Sequence, residues 1–85
     1  IRPYPAAVAG TIESFTFDAK KRLATLVFEA AEGVTELVAP AGVYPAAPVV
    51  TVSAASACSR YEEATGRVFV RTTSVGKTTV TIAPE

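Results

Sequence analysis

The sequence lacks histidine, methionine and tryptophan, and it has one cysteine in 85 residues. Without an imidazole, the chain has no histidine base, proton shuttle or histidine metal ligand. A single thiol, Cys58, cannot form a disulfide within the chain or a two-cysteine zinc or redox site. As a nucleophile, this thiol would need a neighbouring histidine. We therefore predict that Cys58 is a small buried residue and that the chain uses no metal or cofactor.

Charge and length impose further limits. Eight Lys and Arg balance eight Asp and Glu, so the chain has no basic excess of the kind that binds nucleic acid. No apolar run approaches the roughly 18 residues of a membrane-spanning helix. A complete (β/α)8 barrel needs about 200 residues or more, so the sequence predicts one small domain. It begins Ile-Arg-Pro and contains no methionine, which leads us to expect a processed or excised piece of a longer polypeptide.

Leucine is scarce, with three residues, whereas Val, Ile and Thr make up 26 of the 85. These β-branched residues favour strands, and no segment shows a sustained helical period. Gly, Pro and Asp signals divide the chain into seven predicted strands: 11–17, 22–30, 34–39, 49–54, 58–61, 67–72 and 77–82. This pattern predicts an all-β fold, a small antiparallel β-sandwich of the immunoglobulin-like type. In the turn before strand 67–72, Gly66 is predicted to have a positive φ.

The first ten residues differ from the rest because Pro3 and Pro5 flank Tyr4. Two prolines so close together predict a stiff, extended connector. We therefore expect residues 1–10 to be a linker or docking arm from an upstream domain, and residues 11–85 to be the sandwich. A tyrosine held between prolines can be presented to a partner at little entropic cost, with Arg2 beside it. The alternative is that Tyr4 folds back onto its own sandwich.

Alternation of side chains along a strand indicates which residues face the core. The residues assigned to the core in the last two strands are Val68, Val70, Thr78, Val80 and Ile82. This register turns Phe69 outward between Arg67 and Arg71. The three side chains are a candidate contact with a partner domain, a membrane surface or a glycolipid, and the alternative is an isolated surface aromatic.

Strand 22–30 is apolar on both faces. The predicted inner residues are Ala24, Leu26 and Phe28. On the opposite side, Leu23 and Val27 would be exposed unless something covers them. A partner domain would explain this pattern, and loose patterning in an alanine-rich sequence would explain it equally well.

Candidate catalytic groups are few. The acidic residues are seven Glu and one Asp, and most fall in predicted turns or on separate strands. A pair such as Glu62 and Glu63 is adjacent in a turn and would point apart. No phosphate-binding loop, zinc-protease motif or calcium loop occurs. Four rings could be exposed, those of Tyr4, Tyr44, Tyr61 and Phe69, which supports sugar binding only weakly. We therefore assign no catalytic residue.

Several short motifs occur together along nearly the whole chain. They are Arg-Pro-Tyr-Pro at 2–5, Ala-Val-Ala-Gly at 7–10, Phe-x-Phe-Asp at 15–18, Thr-Glu-Leu at 35–37, Tyr-Pro at 44–45, the pair Cys58 and Tyr61, and Val-Thr-Ile at 80–82. The opening motif is the most specific. In these motifs the chain resembles the C-terminal β-sandwich that follows the catalytic barrel in family 5 glycoside hydrolases of the endoglycoceramidase type.

The resemblance implies a secreted bacterial parent enzyme with an upstream (β/α)8 catalytic domain. That enzyme would hydrolyse the bond between oligosaccharide and ceramide in glycosphingolipids with retention, using two glutamates of the barrel. No glutamate of this chain matches such a motif, so the segment alone is expected to be inactive. Its role would be to buttress the barrel and to help address membrane-embedded substrate. The contacts expected with the barrel are Arg2, Tyr4, Leu23 and Val27.

Two other functions are compatible with the residues. One is a stand-alone module that binds carbohydrate or lipid head groups, and the other is a structural spacer domain.

Overall fold

The computed structural model describes residues 1–85 and contains eight β-strands and no helix. The strands are β1 (Tyr4–Ala7), β2 (Gly10–Asp18), β3 (Leu23–Ala30), β4 (Gly33–Val38), β5 (Val49–Val52), β6 (Cys58–Glu62), β7 (Arg67–Thr72) and β8 (Gly76–Ala83). Consequently no helix is long and apolar enough to span a membrane.

The strands form two four-stranded antiparallel sheets. The first sheet has the order β1-β4-β7-β6 and the second has the order β2-β3-β8-β5. The predicted small β-sandwich is confirmed. Its likeness to immunoglobulin domains is one of architecture, because the order of the strands differs from the order in those domains.

The core lies between the two sheets and consists of residues that alternate along the strands. All the residues assigned to it from the sequence are buried, namely Ala24, Leu26, Phe28, Val68, Val70, Thr78, Val80 and Ile82. Burial of one large apolar side chain contributes about 1.5–3 kcal/mol. The core prediction is therefore confirmed, and it sets the direction of every outward side chain discussed below.

The structure differs from the predicted connector in residues 4–7, which form β1. This strand pairs antiparallel with β4, and its register shifts between Pro5 and Ala7. Proline is tolerated on an edge strand, where its missing N–H is not needed by a neighbour. Pro3 is buried, so the segment is attached to the sandwich. Whether it also docks on another domain remains a prediction.

The segment between β4 and β5 is a loop, as its three prolines predict. The expectation that Tyr44 could present an exposed ring is wrong, because this side chain is buried. Its hydroxyl lies 2.8 Å from the carbonyl oxygen of Arg22 and 3.2 Å from that of Ile82, to which it donates. Burial raises the pKa of Tyr44, and the nearby Arg22 charge partly opposes that effect. The hydroxyl group thus ties the loop to one end of the second sheet, where β3 begins beside the last residues of β8.

The turns follow the local chemistry of the sequence. Asp18 Oδ1 accepts hydrogen bonds from the backbone N–H of Lys20 at 3.0 Å and of Lys21 at 3.1 Å. Gly66 has a φ of 67°, as predicted, and a Cβ there would come within 3.1 Å of the carbonyl oxygen of Ala39. A larger residue at this turn would therefore be strained.

The prediction that Cys58 is buried is wrong. The thiol is exposed, because β6 is an edge strand and its pairing sets Cys58 opposite Arg71 on the outside of the first sheet. A small residue on an edge strand carries no sequence signal that separates an inner from an outer position.

Candidate functional site

Three cross-strand rows make up the outer surface of the first sheet. From the strand pairings, the rows are Tyr4, Val38, Arg67 and Glu62, then Glu36, Phe69 and Arg60, and finally Val34, Arg71 and Cys58. These residues alternate along β4 and β7 with buried ones such as Leu37 and Val68, so their side chains point away from the core. We call this surface the arginine face.

The centre of the arginine face is a stacked pair. The guanidinium carbon of Arg60 lies 4.7 Å from the centroid of the Phe69 ring. A cation over an aromatic ring at this distance is favourable by about 0.5–1 kcal/mol at an exposed site. The stack holds Arg60 in place and covers one side of the Phe69 ring, which reduces the area left for stacking a sugar.

Two of the three arginines on this face form ion pairs. Arg67 pairs with Glu36 across β4 and β7, and Arg60 lies 3.4 Å from Glu62. Hydrogen bonds from Thr65 and Arg60 lower the pKa of Glu62, and the bond from Thr65 has the larger effect. Arg71 makes no ion pair and is exposed. It is the cation of this face that an outside anion can reach without displacing a carboxylate.

A shallow groove of about 410 Å³ runs across one end of the arginine face. Its lining residues are Val34, Cys58, Ser59, Arg60, Phe69 and Arg71. The lining combines two guanidinium groups with a ring and an aliphatic side chain, and it contains no carboxylate. Such a groove fits an apolar group that carries an anion.

The outer surface of the second sheet has a different chemistry. One row crosses all four strands as Thr16, Thr25, Thr81 and Thr51. The neighbouring rows contain Ser14, Val27 and Thr79 on one side and Asp18, Leu23, Ala83 and Val49 on the other. We call this surface the threonine face. Leu23 and Val27 are half-buried there, with Val27 between Ser14 and Thr79 and Leu23 beside Asp18.

The structure separates the residues predicted to contact an upstream domain. Tyr4 lies on the arginine face with 51% of its surface exposed, whereas Leu23 and Val27 lie on the threonine face. The guanidinium carbon of Arg2 is 5.9 Å from the centroid of the Phe17 ring, so this side chain contacts its own sandwich. The four residues do not form one surface.

The residues predicted for a surface or lipid contact are brought together. Phe69 is half-buried and shares the arginine face with Arg67 and Arg71. Sequence reasoning did not identify the residues that contact this trio, Arg60 and Glu36. The hairpin between β6 and β7 could have indicated Arg60, because a hairpin register brings the two strands side by side. The pairing of β4 with β7 is non-local and had no such signal.

No three His, Cys, Asp or Glu side chains gather into a group that could hold a metal ion. The arginine face has charged groups, an aromatic ring and a groove, which are the components of a binding surface.

Residues 2–82 match the family model of the glycoside hydrolase family 5 C-terminal domain. The chain belongs to this family, and the resemblance inferred from the sequence motifs is confirmed. No curated protein matches the chain.

Among solved structures, the chain is similar to endo-glycoceramidase II from Rhodococcus sp. in its cellobiose-like imidazole complex, with 28% identity and a TM-score of 0.76. That match covers 99% of this chain and 19% of the other. The ganglioside GM3 complex of the same enzyme matches with 28% identity and a TM-score of 0.76, over 99% and 18% of the two chains. The chain therefore spans about a fifth of the length of these structures.

Sterylglucosidase 1 from Cryptococcus neoformans shares the fold at 16% identity, with a TM-score of 0.68 over 99% of this chain and 14% of the other.

Proposed function

We propose that this chain is the C-terminal accessory domain of a secreted bacterial glycosidase of the endoglycoceramidase type. In this proposal an upstream (β/α)8 domain hydrolyses the oligosaccharide–ceramide linkage of glycosphingolipids, and the sandwich buttresses that domain. The observation that carries the proposal is the family match over residues 2–82, together with the likeness to endo-glycoceramidase II over 99% of the chain.

The proposal divides the chemistry between two domains. Retaining glycoside hydrolysis uses one carboxylate as nucleophile and another as acid and base, held about 5–5.5 Å apart. Both would come from the upstream domain. A carboxylic acid used in catalysis needs a pocket that shifts its pKa. The ion pairs of this chain are at least partly exposed and its groove is open, so we assign it a binding role.

The test compares two proteins with the same substrate. The 85-residue chain and the longer polypeptide that contains it are each incubated with ganglioside GM3, and released oligosaccharide and ceramide are measured by mass spectrometry. We expect turnover only by the longer polypeptide. Turnover by the pure 85-residue chain, or a longer polypeptide without glycosidase activity, would contradict the proposal. Detection of the longer polypeptide outside the cell tests secretion.

A second candidate function is binding of a membrane or glycolipid head group by the arginine face. The observation in its favour is the groove that holds Arg60, Phe69 and Arg71, with the charge of Arg71 unpaired. Co-sedimentation of the 85-residue chain with vesicles of phosphatidylcholine and phosphatidylserine tests it. We expect Phe69→Ala to weaken binding if this function is correct, and absence of binding by the unaltered chain would exclude it.

A further inference from the structure

The two outer faces of the sandwich cannot both rest on one flat partner. The sheets of a sandwich pack about 10 Å apart, and the arginine and threonine faces point in opposite directions. The contact residues predicted from the sequence are divided between them, with Tyr4 on one face and Leu23 and Val27 on the other. A single flat interdomain contact must therefore use either Tyr4 or the pair Leu23 and Val27.

The path of the chain brings an upstream domain within reach of the arginine face. Tyr4 is the first residue of β1, an edge strand of the first sheet, and it pairs with Val38. Extended chain spans at most about 3.6 Å per residue, so the three residues before Tyr4 reach about 10 Å. Pro3 within that segment is buried, which limits its freedom further. Arg2 reaches the Phe17 ring of the second sheet, so a catalytic domain that precedes this chain would meet the edge of the sandwich, within about 10 Å of Tyr4.

The side chains of the arginine face are those that interfaces select. Tyrosine, phenylalanine and arginine are enriched at interfaces, and tyrosine and arginine are also enriched among the residues that dominate binding energy. Tyr4 and Val34 are 51% and 46% exposed, and Phe69 lies on the central strand β7, in the row between theirs. The threonine face presents mainly hydroxyl groups, and its one large exposed apolar residue, Val49, lies on an edge strand.

One arginine of the arginine face has no carboxylate partner. Arg67 and Arg60 have the carboxylates of Glu36 and Glu62, whereas Arg71 has none. A guanidinium that becomes buried without a partner is strongly unfavourable. A domain that covers this face would therefore supply a carboxylate to Arg71 in the groove.

We propose that the arginine face is the surface on which the catalytic domain packs, with Tyr4 and Phe69 as its apolar contacts and Arg71 paired with a carboxylate of that domain. This inference rests on the proposed function. It assigns the threonine face, including Leu23 and Val27, to solvent. It also means that the groove is closed to lipid while the two domains are joined.

Cys58 provides a reporter at the edge of the groove. Its thiol is exposed in the 85-residue chain and lines the groove with Phe69 and Arg71. The rate of its alkylation by N-ethylmaleimide is measured by peptide mass spectrometry in the 85-residue chain and in the longer polypeptide. We expect alkylation to slow by about tenfold or more in the longer polypeptide, because a covered side chain reacts only after local opening.

A matched control places a thiol on the other face. Thr51 is exposed on β5, the edge strand of the second sheet, as Cys58 is on β6. In a Cys58→Ser background, Thr51→Cys is expected to react at the same rate in both proteins. Phe69→Ala is expected to restore fast alkylation of Cys58 in the longer polypeptide, whereas Val27→Ala is not. Melting of each variant in the 85-residue chain establishes that the sandwich is folded.

Three results would overturn the inference. Protection of the thiol introduced by Thr51→Cys instead of Cys58 would assign the contact to the threonine face. Equal alkylation of both positions in both proteins would show that neither face is covered. Protection of Cys58 by phosphatidylserine vesicles, but not by the catalytic domain, would assign the face to lipid. Glycosidase activity of the longer polypeptide would leave the proposed function standing in each case, and its absence would remove that function instead.

Discussion

The two outer faces of this sandwich are built on the same scaffold and differ in what they leave unsatisfied. Both lie over strands whose inner residues form one core. The threonine face has a row of four threonines, whose uncharged hydroxyl groups can bond to water and whose β-branched side chains favour strands. The arginine face combines a stacked ring, two ion pairs and a third arginine without a carboxylate. Strand propensity and solubility account for the first face, whereas the second leaves the charge of Arg71 without a carboxylate.

The largest expected effect tests whether the inner and outer registers are correct. Val80 is 0% exposed, and Thr79 lies beside it on the threonine face. Val80→Asp buries an unpaired charge, which should cost about 4–5 kcal/mol or more, while domains have only about 5–15 kcal/mol of stability in total. We expect this variant to be largely unfolded by circular dichroism. Thr79→Asp should melt near the unaltered chain, and equal damage from both would mean that the register of β8 is wrong.

The next effect concerns Tyr44, which holds the loop of residues 40–48 to the second sheet. Tyr44→Phe removes the hydroxyl group that bonds to the carbonyl oxygens of Arg22 and Ile82, at a cost of about 1–2 kcal/mol. Urea denaturation measures this loss. Tyr44→Phe can be made in the unaltered chain, because the change does not involve the exposed thiol of Cys58.

The raised pKa of Tyr44 also predicts a dependence on pH. Its pKa is higher in the folded than in the unfolded chain, so its contribution to stability is complete below the unfolded pKa of about 10 and is lost as the pH rises through the folded pKa. The unaltered chain should lose stability above about pH 10, and Tyr44→Phe should lose less over the same interval. A parallel decline of both proteins would contradict the assignment.

A smaller loss of stability is expected when one ion pair on each sheet is broken. Arg67 and Glu36 are about two-thirds covered, with exposures of 36% and 29%. Lys77 and Glu13 on the second sheet are 3.6 Å apart and more exposed. Arg67→Met should cost about 0.5–1 kcal/mol and Lys77→Met less than about 0.5 kcal/mol. Denaturation at low and high salt checks this order, and a greater loss from Lys77→Met would reverse it.

The smallest expected effect on the 85-residue chain is that of Tyr4→Ala. Half of this ring is exposed, so its removal should change the free energy of unfolding by about 0.5 kcal/mol or less. In the longer polypeptide, the same change should increase proteolysis at the junction between the domains. A large loss of stability in the 85-residue chain with an unaltered junction would mean that Tyr4 serves only its own sandwich.

The sequence predicted the core well because alternation is a local property. Val80 and Ile82 are inner residues for the same reason that Thr79 and Thr81 are outer ones, and this holds whichever strand lies beside β8. The positive φ of Gly66 was likewise predictable from the turn. Prediction failed where local signals conflict with edge positions. Two prolines concealed β1, and a small thiol concealed the outward direction of Cys58. The burial of Tyr44 was also missed, because a loop residue has no strand period that shows which way it points.

The sequence by itself determined the class of this protein, its inner and outer residues and its family, because strand period, turn chemistry and the motif at residues 2–5 are local. Only the tertiary structure decided which strands are neighbours. That pairing set Arg60 on Phe69, gave Glu36 to Arg67, and left Arg71 without a partner. It also placed Tyr4 and Leu23 on opposite faces. The physical reason is that pairing between strands distant in the chain is settled by the burial of all the strands together, which no single segment encodes.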